Sequence, residues 1–478
     1  MTKIVNFRDA RISESEVDVL KEFEHQSNKK FEWSHKVNYE TKMGFKTENQ
    51  RITKLSLYKG DITSLPKSIG DLSSLRLLSL GHNEVISSLP ESIGNLSSLK
   101  KLGLEYNNLS KLPESIGNLS LLEELNLRSN NLVTFPEIIT TLNSLKKLNL
   151  SKNNLSTLPE SFANLVVLKD LDISQNKFPK FPDKTSKLKN LKILKLRGNN
   201  FSTLPDSFAN LRVLENLDIS RNAITLFPEI ITKLESLKEL NLSDNKLSKL
   251  PRSLANLKAL NKLNLCQNDF STFPEVINNL IALKELRLSY NNLSDLPESI
   301  GDLKSLEILC LDVNNLLRLP NSIGDLIELQ ILILESNKLK LIPQSIGNLT
   351  KLFQFSLCGN QLEKVTESIG NLRSLITLDM GSNNLAELPE SFGNLNSLKY
   401  LNLSRNHLKT LPESFGNLSS LIILNVSLNN LKTLPESIGT LSSLESIVLY
   451  GNRIKRIPES IRNLQNLRKS KSETGHSH

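Results

Sequence analysis

The chain has 478 residues, a net charge of +9 and only 5% aromatic residues. This modest basic excess permits acidic partners without demanding nucleic acid. Three cysteines far apart in sequence exclude a disulfide framework and a zinc motif, and no apolar run suits a secretory signal or a membrane span, so we expect a cytoplasmic protein.

Residues 1–51 do not share the pattern of the rest of the chain. Residues 13–16, Ser-Glu-Ser-Glu, have the spacing of a capping box, and apolar residues follow at near-helical intervals up to Phe23. Residues 31–57 then alternate loosely, which favours a strand or a hairpin. We therefore predict that residues 1–51 form an N-terminal cap, which an open repeat array requires.

A repeat of the form L-x-x-L-x-L-x-x-N-x-L begins at residue 52, with a clear copy at 99–109, LKKLGLEYNNL. Its asparagine recurs every 23 residues from Asn107 to Asn452, and two earlier units carry Asn83 and Gly60 in this column, which gives eighteen units over residues 52–467. Leucines at positions 4 and 6 alternate with polar residues, which predicts a strand with one buried face. We expect the asparagine at position 9 to bond to turn backbone groups.

The phrase LPESIGNL, at 89–96 and 112–119, returns with small changes in most units. Its proline is predicted to occupy the first turn of a short helix, followed by a glutamate at the positive end of the helix dipole. Proline fills this column in every unit except one, where Thr366 replaces it. Such uniformity indicates a structural role that is the same in every unit.

These motifs resemble the leucine-rich repeat family in its 23-residue intracellular form, which is found in Ras-suppressor and Scribble-like proteins, plant intracellular Ras-group proteins and stand-alone microbial proteins. The resemblance implies an α/β solenoid of horseshoe form, with a parallel sheet on the concave face and short helices or turns on the convex face. It also implies a non-catalytic, protein-binding scaffold in signalling, with a small GTPase or its regulator as a candidate partner.

If the leucine and asparagine columns are structural, function resides at positions 3, 5, 7 and 8, which face the concave surface. In units 12 and 13 these positions become apolar, unit 11 contributes Arg287 and Tyr290 beside them, and Asp312 and Glu335 occupy position 7. Such a patch has the composition of a protein-binding hot spot, although isoleucine also simply suits strands. The candidate partner-binding residues here are Arg287, Tyr290, Ile308, Cys310, Val313, Ile331 and Ile333.

A second apolar cluster lies near the end of the array. We interpret it either as a further binding surface or as cover for a weakly capped last unit. We expect a monomer, with end-to-end association through that unit as an alternative, and a disordered basic tail at residues 468–478. The cluster contains Tyr400, Ile423, Leu428, Val448 and Tyr450.

Residues 177–200 are strongly basic and contain only one acidic residue, Asp183. They form either a solvated outer face or a docking patch for an acidic protein, phosphate or nucleic acid, although no aromatic platform accompanies them. Polyanion binding is therefore the alternative function. The residues of this basic patch are Lys177, Lys180, Lys184, Lys187, Lys189, Lys192, Lys195 and Arg197.

No known catalytic motif is present. The sequence has no phosphate-binding loop, no H-E-x-x-H and no G-x-S-x-G, and its histidines are scattered. Cys266, Cys310 and Cys358 fall two units apart, too far for a disulfide, and are interpreted as small filler residues more readily than as reactive thiols. We predict no enzymatic activity, no catalytic or metal-binding residue and no cofactor.

Overall fold

The computed structural model describes residues 3–467, so the tail at 468–478 lies outside the described residues. The chain forms two compact bodies. The first runs to residue 224 and includes 230–237, and the second contains 225–229 and the described residues from 238 onward. Units 11–13 belong to the second body, whereas the basic patch belongs to the first.

Short strands alternate with one-turn 3₁₀ helices along most of the chain. The strands are β1 (Ile4–Phe7), β2 (Ala10–Ser13), β3 (Glu32–Trp33), β4 (Gly44–Glu48), β5 (Arg51–Ser56), β6 (Leu77–Ser79), β7 (Lys101–Gly103), β8 (Glu124–Asn126), β9 (Lys147–Asn149), β10 (Asp170–Asp172), β11 (Ile193–Lys195), β12 (Asn216–Asp218), β13 (Glu239–Asn241), β14 (Lys262–Asn264), β15 (Glu285–Arg287), β16 (Ile308–Cys310), β17 (Ile331–Ile333), β18 (Gln354–Ser356), β19 (Thr377–Asp379), β20 (Tyr400–Asn402), β21 (Ile423–Asn425) and β22 (Ser446–Val448). The α-helix is α1 (Glu14–Ser27). The 3₁₀ helices are Lys67–Asp71, Glu91–Asn95, Glu114–Asn118, Glu137–Thr141, Glu160–Asn164, Asp183–Lys187, Asp206–Asn210, Glu229–Lys233, Arg252–Asn256, Glu275–Asn279, Glu298–Asp302, Asn321–Asp325, Gln344–Asn348, Glu367–Asn371, Glu390–Asn394, Glu413–Asn417, Glu436–Thr440 and Glu459–Asn463.

The N-terminal segment contains the predicted helix and hairpin, but also a strand pair that the sequence did not predict. β1 and β2 pair antiparallel before α1, and β4 and β5 form the hairpin that leads into the first unit. The predicted capping box is wrong, because Ser13 caps α1 without a side-chain hydrogen bond. Glu16 is buried and instead accepts hydrogen bonds from Arg51 Nε at 2.7 Å and the Ile52 amide at 2.9 Å. It therefore ties α1 to the first unit.

The predicted parallel sheet is confirmed. In the first body each strand from β5 to β12 pairs in parallel with the next, and in the second body each strand from β13 to β22 does the same. The leucines at positions 4 and 6, such as Leu102 and Leu104, are fully buried. Alternation along each strand therefore directs positions 3 and 5 to the opposite face of the sheet.

The repeated phrase folds differently in one respect from the prediction. Proline precedes the 3₁₀ helix instead of occupying its first turn: Pro90, for example, has φ −72° and ψ 151°, before Glu91–Asn95. The following isoleucine and leucine are buried, as Ile93 and Leu96 are. Glycine in this phrase permits close stacking, because a Cβ added at Gly94 would lie 2.4 Å from the Ser115 carbonyl oxygen.

The asparagine column forms the predicted ladder of hydrogen bonds to backbone groups. Asn107 Nδ2 donates to the carbonyls of Leu80 in the preceding unit and Leu104 in its own unit, at 2.9 and 3.0 Å. In the next unit, Asn130 Oδ1 accepts from the Leu109 amide at 2.9 Å. Each buried amide thus joins two successive units and satisfies turn groups that no strand reaches.

Candidate functional site

The face of the sheet that carries positions 3, 5, 7 and 8 is the candidate binding surface, which we call the sheet face. Its neighbours across units are fixed by strand register, as when Ile308 pairs with Ile331 and Cys310 with Ile333. Position 8 follows the strand in a left-handed backbone conformation in nearly every unit, with φ close to 55° at Tyr290. Successive units therefore present equivalent side chains in rows.

The structure brings the apolar residues of units 11–13 together as predicted neighbours on adjacent strands. Ile308, Ile331 and Ile333 are half-buried, while Tyr290 and Val313 are 54% and 36% exposed. We call these five residues the apolar patch. Together they present aliphatic and aromatic surface on three successive strands, β15 to β17.

An open depression of 490 Å³ adjoins the apolar patch. Arg287 is half-buried within it and hydrogen-bonds to Glu285, while Ser289 hydrogen-bonds to Asp312. Glu335 Oε1 accepts from Ser356 Oγ at 2.5 Å. The charged side chains of Arg287, Asp312 and Glu335 thus lie around the apolar side of the depression. The depression is lined by Cys266, Gln267, Arg287, Ser289, Tyr290, Cys310, Asp312, Ile333 and Glu335.

The three thiols are free, and their surroundings make them weak nucleophiles. Cys310 is only 6% exposed, so it belongs to the floor of the depression and not to the accessible surface that the sequence suggested. Burial raises the pKa of Cys310 and of Cys358 to about 11 and also raises that of Cys266. At neutral pH all three remain protonated thiols.

Val313 stands in a backbone conformation that β-branched residues rarely adopt. Its φ is 53°, in the left-handed region, where Gly198, Gly359 and Gly451 occupy the same position of other units. A branched side chain costs about 1–3 kcal/mol there. The chain therefore retains an exposed apolar side chain beside the depression at a conformational cost.

The C-terminal cluster separates into two pairs. Tyr400 and Ile423 are register partners at position 3 and are 42% and 40% exposed. Leu428 and Tyr450 lie at the other end of their strands, where the Leu428 amide donates to the Tyr450 carbonyl at 2.8 Å. Val448 is half-buried between the pairs. The cluster is therefore less continuous than the apolar patch.

The basic patch does not form one surface. Lys195 and Arg197 lie on the sheet face, whereas Lys184 and Lys187 belong to the 3₁₀ helix and pair with Glu160. Lys192 pairs with Glu215 at 2.7 Å, and Arg197 donates to Ser220 at 3.2 Å. The remaining members, Lys177, Lys180 and Lys189, are exposed on the loops that join the strands to the 3₁₀ helices.

Sequence reasoning missed a row of aromatic residues at the edge of the sheet face in units 1–3. The Tyr58 ring meets His82 edge-on at 5.1 Å, and His82 stacks on Tyr106 at 3.9 Å. Arg128 lies over Tyr106, 5.6 Å from its centroid. Burial, with help from Lys59, lowers the pKa of His82. The aromatic residues at positions 7 and 8 of successive units were the available signal.

Among residues 3–467, no group of three or more His, Cys, Asp or Glu side chains is arranged to hold a metal ion. Over the same residues, no helix combines the length and apolarity needed to cross a membrane.

Known families and structures match the chain over most of its length. The family model described as leucine-rich repeat region matches residues 51–125, 91–191, 183–275, 262–360 and 390–477, and the model described as leucine rich repeat matches 355–408. No curated sequence matches the chain.

Similar solved structures come from bacteria and plants. A leucine-rich repeat protein of Leptospira interrogans is 34% identical, with 87% of this chain and 94% of that chain covered and a TM-score of 0.68. The ectodomain of the Arabidopsis thaliana receptor kinase GASSHO1/SCHENGEN3, in complex with CASPARIAN STRIP INTEGRITY FACTOR 2, is 31% identical over 87% of this chain and 55% of that chain, with a TM-score of 0.58. The plant peptide hormone receptor RGFR1, in complex with RGF2, is 29% identical over 87% and 81%, with a TM-score of 0.52.

Proposed function

The chain belongs to the leucine-rich repeat family, and from that premise we propose that it is a non-catalytic scaffold that binds a protein partner through the apolar patch of units 11–13. Proteins of this fold are typically interaction modules, and the plant receptors above are bound to polypeptides. Fold alone does not identify a partner, so the proposal depends on the site.

The observation that carries the proposal is the apolar patch itself. Ile308 and Ile331 lie side by side on adjacent strands, and Ile333 reaches the edge of a depression surrounded by charged groups. An apolar centre with a polar rim is the usual anatomy of a protein interface. The conformational cost at Val313 further supports selection for an exposed apolar side chain at this place.

The finer expectations remain proposals. A small GTPase or its regulator as partner, a cytoplasmic location and a monomeric state all derive from the sequence resemblance and composition. We also propose that residues 1–51 cap the array, supported by the buried link from Glu16 to Arg51. Polyanion binding is less favoured, because Lys184, Lys187 and Lys192 are paired with glutamates.

A capture experiment tests the proposal. Immobilised full-length protein would be exposed to lysate of the source cells, and retained proteins quantified by mass spectrometry. Ile331→Asp combined with Ile333→Asp should lose the specific partner, because two carboxylates would be buried in the interface. Ile193→Asp is a matched control, since Ile193 is a half-buried isoleucine at position 3 of unit 7. If all three proteins retain the same partners equally, the apolar patch is not the binding site.

A further inference from the structure

The N-terminal segment lies across the sheet face of the first three units. Residues 34–43, which we call the strap, connect β3 to β4. Ser56 Oγ donates to the Thr41 carbonyl at 2.5 Å, and Ser79 Oγ donates to the Tyr39 carbonyl at 2.7 Å. The Tyr39 ring then covers Gly103. The strap thus contacts β5, β6 and β7 through a segment that turns at residues 38–41, where the Thr41 amide donates to the Asn38 carbonyl at 3.4 Å.

The first units are shaped to admit this strap. Ser56, Ser79 and Gly103 are register partners at position 5 of successive strands. A Cβ added at Gly103 would lie 2.8 Å from the Tyr39 ring, so a side chain there would displace the strap. From unit 4 onward, most units carry a larger residue such as Asn126 in this column, and Cys310 and Ser356 are isolated small exceptions. Three consecutive small residues therefore occur in this column only in the covered units.

The strap is held mainly by contacts that another peptide could make. Both serine hydroxyls bind main-chain carbonyls, which every peptide offers. Within the described residues, no salt bridge involves residues 34–43, and the side-chain hydrogen bonds of Asn38 remain inside the strap. Apart from Tyr39, only Val37 and Met43 are well buried. Residues 38–41 of the strap therefore resemble a bound, turn-forming segment more than an integral part of the core.

Two buried polar atoms beside the strap lack hydrogen-bond partners. Glu105 is only 8% exposed, and its Oε2 accepts no hydrogen bond. Arg128 Nε, in the adjoining unit, is also buried without an acceptor. Burial raises the pKa of Glu105, the nearby Arg128 guanidinium opposes that rise, and the like charge of Glu40 in the strap adds to it. A group that donates to Glu105 and accepts from Arg128 would satisfy both, and a carboxamide has this combination.

We propose that the strap is a displaceable intramolecular ligand, and that the face it covers binds a turn-forming peptide of a protein partner carrying a glutamine or asparagine where Glu40 now lies. This second site is separate from the apolar patch and goes beyond the proposed function. It also implies that the strap competes with the partner's peptide for the same face. Because the strap is tethered, its effective concentration is on the order of millimolar, so a peptide of weak affinity would not displace it.

The test uses the full chain and two fluorescein-labelled decapeptides, SHKVNYETKM and its Glu40→Gln form. Binding is followed by fluorescence anisotropy. Tyr39→Ala should loosen the strap, so this variant is expected to bind the Gln peptide at least about tenfold more tightly than the unaltered protein does. The Gln peptide should bind at least about threefold more tightly than the Glu peptide, and Glu105→Gln in the host should reduce that difference.

Two further variants separate the possible outcomes. Adding Ser56→Ala and Ser79→Ala to the Tyr39→Ala host should weaken peptide binding, whereas adding Ile331→Asp and Ile333→Asp should leave it unchanged. Failure of this site is thereby distinguishable from failure of the apolar patch. Equal binding by the altered and unaltered hosts, or no binding by a folded Tyr39→Ala protein, overturns the proposal.

Hydrogen exchange on the unaltered protein gives an independent check that needs no variant. The amide of residue 41, which donates to the Asn38 carbonyl at 3.4 Å within the strap, should exchange far faster than the amides of β6. This outcome is expected if the strap opens while the repeats stay folded. If both sets exchange only through global unfolding, the strap is a fixed structural element and the proposal is overturned.

Discussion

Gly324→Ala should destabilise the array, although alanine is normally the better residue in a helix. A Cβ at Gly324 would lie 2.2 Å from the Ser345 carbonyl oxygen of the next unit, where ordinary contact begins at 3.4 Å. The neighbouring 3₁₀ helix therefore has to move by about 1.2 Å. Overpacking of this kind costs about 1–3 kcal/mol, and the entropic gain from removing glycine offsets about 0.4–1 kcal/mol. We expect a net loss of about 1–2 kcal/mol.

Gly117→Ala is the matched control from the same phrase. The atoms nearest to a Cβ at Gly117 are Ile138 Cδ1 at 2.8 Å and Thr141 Oγ1 at 2.9 Å, both ends of side chains that can rotate. We expect this variant to change stability by less than about 0.5 kcal/mol. Urea unfolding monitored by circular dichroism would compare the two midpoints. A Gly324→Ala protein as stable as Gly117→Ala would refute the argument that backbone approach requires glycine here.

Three further predictions concern buried groups. Asn337→Ala removes donors to the Leu311 and Leu334 carbonyls and should lower the free energy of unfolding by about 3 kcal/mol in urea titrations, with a smaller loss for the half-exposed Asn452→Ala. Glu16→Ala should lower the free energy of unfolding by about 3 kcal/mol and increase hydrogen exchange in α1, because it leaves the buried Ile52 amide without an acceptor. Equal protection of the α1 amides in the altered and unaltered proteins would contradict this. Because burial raises the pKa of Cys310 to about 11, its alkylation by iodoacetamide should be slow at pH 8 and reach half its maximal rate near pH 11, whereas a free thiol does so at about pH 8.5.

The period of the sequence predicted the fold because each column has the same surroundings in every unit. Leu102 and Asn107 have equivalents whose contacts repeat, so their roles follow from alternation and hydrogen-bonding capacity alone. The position of proline was less predictable. The phrase LPESIGNL folds into a short 3₁₀ helix, and Pro90 lies immediately before that helix with an extended backbone.

The candidate sites were predictable only where neighbouring units supply all the residues. Ile308 and Ile331 meet because parallel register is fixed by the repeat. The residues of the basic patch do not form one surface, because each unit contains both a strand and a 3₁₀ helix. Lysines close in sequence, such as Lys184 and Lys195, therefore belong to different elements. The contact of Tyr39 with Gly103 joins segments far apart in sequence, and no local pattern encodes it.

Site-specific photocrosslinking tests the central claim most directly. A photoreactive amino acid would replace Val313, beside the depression, or Lys152, which holds the same left-handed position in unit 5. After irradiation of full-length protein in lysate of the source cells, we expect a discrete crosslinked partner from position 313 that is absent from position 152. It should also disappear when Ile331→Asp and Ile333→Asp are added. The same crosslinks from both positions, or none from position 313 while other parts of the chain crosslink a partner, would contradict the assignment of function to units 11–13.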